Sequence, residues 1–178
     1  MNTAPIDHPE TPAAPAGEDK VAHLAEIRGR LDGTNINRET LLATDYLNHF
    51  NEVVMLLEML PDMPECLDDL REWQPKSYPD HFRDSVFSDR DLAIEAYALV
   101  PPEYLTPFVQ VVENLDCAIL GAIGDAVQAI DRSGGEGLSA AVKGAMPGIQ
   151  SLFDMASAII NGAVVSLDQD EIDRILEA

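Results

Sequence analysis

Apolar positions along this chain recur with the spacing of helix faces. Between about Arg38 and Leu60, Leu42, Tyr46, Phe50, Val53, Leu57 and Leu60 keep a 3.6-residue period, with Asn37 placed as an N-cap and Pro61 as the stop. That period predicts an amphipathic helix packed on others. Val21, Leu24, Ile27 and Leu31 predict a weaker helix that closes near Gly33. The stretch from Leu60 to Phe82 holds four prolines and three aromatics, which predicts a short helix around Glu65 to Trp73 and then an ordered loop whose rings cover a core. Ser88-Asp89-Arg90-Asp91 reads as a cap for a helix ending before Pro101 and Pro102.

The longest periodic run starts near Pro102 or Pro107 and ends at about Arg132, with Phe108, Val111, Leu115, Ile119, Ala122, Ala126 and Ile130 forming a seam close to that of a coiled coil. Such a seam suits the inside of a bundle or a homodimer interface along residues 107–131. After a loop at 133–137, Leu138 to Ala145 and Ile149 to Ile160 predict two helices broken at Met146-Pro147-Gly148, with Asn161-Gly162 as a terminator. No useful run alternates apolar and polar residues as a half-buried strand would. The expected fold is therefore all-α, an irregular four- or five-helix bundle over residues 21–162. Residues 1–20, with four prolines and mixed charge, are expected to be disordered, and residues 163–178 to form a separate partner-binding peptide with a short amphipathic helix.

Charge narrows the classes of partner. The 178 residues carry 32 acidic and 11 basic side chains, a formal net charge of −21. A field of that sign repels phosphate backbones and anionic lipid, so a protein with a basic face is the expected partner, with no nucleic acid and no membrane. The first residues lack a basic segment followed by an apolar one, and the uncharged runs are short, so a cytoplasmic protein is expected. Cys66 and Cys117 are isolated and are expected to be buried as small apolar side chains.

Candidate chemistry is sparse. Asp45, His49 and Glu52 are spaced by four and three, the arrangement that puts carboxylates and imidazole on one helical stripe, as in metal sites of bundles. Glu113 and Asp116 are the available ligands from a facing helix, and no second histidine-bearing helix accompanies them. Asp125 and Gln128, one turn apart on the long helix, pair a carboxylate with an amide that could orient a water. No phosphate-binding loop, nucleophile elbow or triad is present, so no cofactor is expected and an enzyme is the less favoured class.

The segment Leu167-Asp168-Gln169-Asp170-Glu171-Ile172-Asp173-Arg174-Ile175-Leu176 opens on a capping box, Ser166 to Gln169. These ten residues resemble the segment by which the FliM family of flagellar switch proteins binds the phosphorylated receiver protein CheY. The order of helices followed by an acidic, apolar peptide is similar to the CheZ family of chemotaxis phosphatases. That family spaces its acidic residue and glutamine by four, whereas Asp125 and Gln128 are three apart. The resemblance implies that Ile172, Ile175 and Leu176 enter an apolar groove while Gln169, Asp170, Glu171 and Asp173 face a basic rim. It implies a helical adaptor or regulator in bacterial chemotaxis or flagellar signalling. If it were an enzyme, it would be a phosphatase acting on a response regulator.

Overall fold

A computed structural model describes residues 17–133 and 136–164 of the chain. Among the described residues the fold is all-helical. Seven α-helices follow one another: α1 Gly17–Arg30, α2 Asn48–Met59, α3 Cys66–Glu72, α4 Tyr78–Asp84, α5 Arg90–Tyr97, α6 Pro102–Ser133 and α7 Leu138–Ile160. A 3-10 helix at Thr44–Leu47 leads into α2. The count exceeds the expected four or five, because the proline-rich middle of the chain folds into short helices. The helix α1 takes in residues 17–20 of the segment expected to be disordered, while residues 1–16 lie outside the described chain.

The antiparallel pair α6 and α7 is the most extensive helix packing in the structure. Phe108, Val111, Leu115, Ile119, Ala122 and Ala126 of α6 are all buried, against Val142, Ile149, Leu152, Ala156 and Ile159 of α7. The seam read from sequence is therefore covered within one chain. By length and composition α6 could also cross a membrane, at a mean hydropathy of 1.2. Its apolar stripe is turned instead onto α7 and α2. Cys66 is buried as expected, but Cys117 is exposed, because it lies off the stripe that carries Leu115 and Ile119.

Two expected boundaries shift. The helix α7 runs through Pro147 without interruption. A proline there costs the bond to the carbonyl of Lys143. Both residues are exposed, and packing on either side at Val142 and Ile149 holds the helix together.

The helix expected from Arg38 begins only at Thr44. Asn37 does cap a turn, its Oδ1 accepting from the Glu39 and Thr40 amides at 2.8 and 3.1 Å. That turn then closes on itself. The Leu41 amide donates to the Asn37 carbonyl at 2.8 Å, Leu41 adopts a left-handed φ of 62°, and Ile36 pairs with Ala43 in an isolated antiparallel bridge. A leucine in that region is strained, and the complete burial of Leu41 and Leu42 offsets the strain.

Polar groups of this buried loop are satisfied by distant elements. The Thr40 hydroxyl donates to the last carbonyl of α7, Ile160, at 2.8 Å, and the Ala43 amide donates to the Tyr78 hydroxyl of α4 at 2.7 Å. Tyr78→Phe removes the acceptor and strands a buried N–H. We expect it to cost about 1–3 kcal/mol in urea unfolding. A loss below about 0.5 kcal/mol would mean that the amide finds another partner.

Candidate functional site

Two recesses lie near Tyr46, which the 3-10 helix places in the core against rings of α4 and α6. On one side stands His49, in the first turn of α2. Its ring stacks on the indole of Trp73, centroids 5.0 Å apart and planes 20° apart, and lies 6.0 Å from the ring of His81 on α4. Trp73 ends α3 and donates its indole N–H to the His49 carbonyl at 3.4 Å. The loop that follows turns back through Lys76, whose carbonyl accepts from the Tyr46 hydroxyl at 2.8 Å. Ser77 then caps α4 by accepting from the Asp80 amide. Across the mouth of this cleft the Lys76 ammonium pairs with Asp84 at 2.8 Å. The cleft, of about 220 Å³, is lined by Asn48, His49, Glu52, Lys76, His81, Asp84 and Ser85.

Burial sets the charge states here. It pushes the His49 imidazole down to about 4, helped by the neighbouring His81 and Lys76 charges and opposed by the Gln74 backbone. Burial also lowers His81, with the Asp45 backbone acting against it. Both rings are therefore neutral at pH 7. His49 Nε2 is buried without a hydrogen bond.

On the other side of Tyr46 lies a half-enclosed pocket of about 270 Å³. Its walls are Tyr78 and Tyr97, stacked at 4.5 Å, together with Phe108 and Val112. Glu113 and Asp116 of α6 form its polar end. Burial, with the Glu113 charge second, pushes the Asp116 carboxyl up to about 6. Asp116 Oδ1 is buried and unpaired. Burial likewise holds the Tyr46 and Tyr78 hydroxyls well above their ordinary range.

The sequence-predicted metal set is divided by this arrangement. Asp45 sits on the 3-10 turn, where three residues per turn replace 3.6. It lines one recess with Asn35, Thr44, Asn51 and Ser157 and another with His81, Asp84 and Ser85, but not the cleft that holds His49 and Glu52. His49 and Glu52 share the cleft with Lys76, while Glu113 and Asp116 belong to the tyrosine pocket. Among the described residues no three His, Cys, Asp or Glu side chains gather where a metal ion could be held. Asp125 and Gln128 are both exposed on the last third of α6. Gln169, Asp170, Glu171, Ile172, Asp173, Ile175 and Leu176 lie outside the described residues.

Sequence reading missed His81, Lys76, Trp73 and Tyr97. A signal for the first was present: Ser77-Tyr78-Pro79-Asp80 has the cap, the early proline and the acidic third position of a helix start.

The outer face of α2 carries a further feature. Met55 and Met59, with Met63 beyond the helix end, are spaced by four and exposed by 58, 40 and 40%. Beside them an open groove of about 770 Å³ runs past Met55, Leu56 and Trp73, rimmed by Glu52, Asp69 and Glu72. Exposed methionines beside a half-buried tryptophan, with carboxylates and Lys76 around them, suit an adaptable protein contact. No family model matches this chain, and neither a curated protein nor a solved structure was found to be similar to it.

The buried imidazoles make an acid-sensitive element. A histidine held below its unfolded value of about 6.5 stabilises the fold fully above that pH, and the contribution is lost as pH falls toward the folded value. Between pH 6.5 and 4 we expect His49 to account for a loss of about 1–3 kcal/mol. Denaturant unfolding across that window should give a flatter curve for His49→Gln than for the native chain, the carboxylates being common to both. Parallel curves would place the acid sensitivity elsewhere.

Proposed function

We propose that this chain is a cytoplasmic helical adaptor of bacterial signal transduction, of the chemotaxis and flagellar kind. Its segment 163–178 would engage the receiver domain of a response regulator. The observation that carries this reading is the sequence from Leu167 to Leu176, an acidic cap followed by Ile172, Ile175 and Leu176 on one helical stripe. Two features support it.

The first is the way α7 ends. The Gly162 amide donates to the Ile159 carbonyl at 3.0 Å and the Ala163 amide to Ala158 at 2.9 Å, while Gly162 takes a φ of 99° that favours glycine. This closes α7 at Ile160, ahead of the stretch from Leu167 to Leu176. The second is charge. A protein of net charge −21 meets a basic receiver rim with long-range attraction. An adaptor also needs a second surface, and the methionine face of α2 supplies a candidate, with its carboxylate rim selecting a basic partner.

The test is titration of the full chain against CheY-like receiver domains with and without phosphorylation. Binding should be stronger to the phosphorylated form and several-fold weaker for Ile172→Ala. It should be unchanged for Met55→Gln, which alters only the other face. Under the adaptor reading, Asp125→Asn and Gln128→Ala leave receiver dephosphorylation as it is. Failure to bind any receiver in either state would remove the proposal.

A further inference from the structure

We propose that the tyrosine-walled pocket at Asp116 is a binding site for a small organic ammonium ion, a protonated amine on a short aromatic or apolar body. The pocket is independent of the segment 163–178 and of the receiver-binding reading. Its size comes first. At about 270 Å³ it lies just under the range of roughly 300–1,000 Å³ typical of drug-sized ligands, which suits a single ring or a short chain.

The walls define the body of the ligand. Tyr46, Tyr78, Tyr97, Phe108 and Val112 present aromatic and aliphatic surface, and the Tyr46 and Tyr78 hydroxyls are engaged by the Lys76 carbonyl and the Ala43 amide. The rings therefore contribute chiefly their apolar surfaces. Tyrosine faces also attract cations, whereas they offer nothing to an anion.

The polar end defines the head group. Glu113 and Asp116 lie one helical turn apart on α6, and Asp116 Oδ1 is a buried acceptor with no donor. Oδ1 itself is covered from solvent, but the carboxylate it belongs to lines the cavity beside Glu113, and buried polar atoms in folded proteins are almost always paired, so the site favours a ligand that brings donors. An ammonium group supplies a donor and a compensating charge together. A hydroxyl supplies only the donor, and a carboxylate would be repelled.

The remaining charged group on the pocket is Lys76, from the α3–α4 loop. Its ammonium is held 2.8 Å from Asp84 of α4, so its charge is already compensated. The tyrosines contributed by the 3-10 helix, α4 and α5 are neutral through the physiological range. Two carboxylates thus face the cavity without a counter-ion. Burial and the Glu113 charge hold Asp116 against ionisation in the empty pocket, and a bound cation would reverse that balance, so affinity should rise with pH through about 6.

The experiment titrates the full chain by calorimetry with three probes of one shape: 2-phenylethylammonium, 2-phenylethanol and 3-phenylpropionate. At pH 7.5 and low salt the ammonium should bind at least tenfold more tightly than the alcohol, and the carboxylate should not bind. Asp116→Asn should weaken the ammonium tenfold or more, Glu113→Gln by less, and both variants should keep the native melting temperature or exceed it. Lowering the pH to 5 should weaken ammonium binding to the native chain several-fold and leave Asp116→Asn nearly unaffected.

Equal affinity for ammonium and alcohol would reduce the site to an apolar recess. Ammonium binding that neither variant changes would place it on the acidic surface instead. No saturation by any probe up to about 10 mM would also overturn the proposal.

Discussion

The structure depends on how a buried, irregular loop satisfies its backbone. Residues 36–43 enter the core with Leu41, Leu42 and Ala43 fully covered, yet they form neither helix nor sheet. Their amides and carbonyls must find partners or cost more than the leucines gain. The amides of Glu39, Thr40 and Leu41 find theirs at Asn37 and the Ala43 amide at the Tyr78 hydroxyl, while the Thr40 hydroxyl in turn donates to the Ile160 carbonyl. Each external bond reaches a different part of the chain. Thr40 fixes the end of α7, Tyr78 fixes α4, and Glu39 adds a third anchor by accepting the Tyr104 hydroxyl of α6 at 2.6 Å. One loop therefore ties early and late elements to the same point.

The position of Tyr46 follows from that constraint. Three residues beyond Ala43, it is held among Phe50, Tyr78, His81 and Phe108, with ring centroids 5.1–5.8 Å apart. It lines the tyrosine pocket, and its ring meets His81 of the histidine cleft edge-on at 5.5 Å. The loop carrying Trp73 to Ser77 crosses above it, and Lys76 of that loop reaches both recesses. Lys76 is the residue the two recesses have in common, so a change in how it is held is felt in both.

Electrostatics gives the two recesses opposite responses to acid. In the cleft, burial keeps imidazoles neutral, so protonation works against the fold. In the pocket, burial resists ionisation of Asp116, so protonation favours the fold. Around them the surface is strongly acidic and most ion pairs are exposed, such as Arg30 with Glu95 at 2.8 Å between α1 and α5. Exposed pairs of this kind contribute little to stability and mainly shape the field that a partner meets.

The helical class was legible from periodicity alone, because a 3.6-residue stripe long enough to bury a face leaves few alternatives. Phe108 to Ala126 emerged buried in the order the sequence suggests, and Gly33 and Gly162 took the left-handed conformations expected of helix stops. The net charge was also a property of sequence. Periodicity reports that a face is covered and not what covers it, so only the folded chain assigned the α6 seam to α7. Local preference likewise could not show that Arg38 to Ala43 would leave the helix, since the bonds to Ile160 and Tyr78 that stabilise the loop come from residues 120 and 35 positions away. The same holds for the candidate sites. Asp45, His49, Glu52, Glu113 and Asp116 were visible as titratable residues, but the division of His49 and Glu52 from Glu113 and Asp116, and the orphan oxygen of Asp116, arise from which groups tertiary packing removes from water.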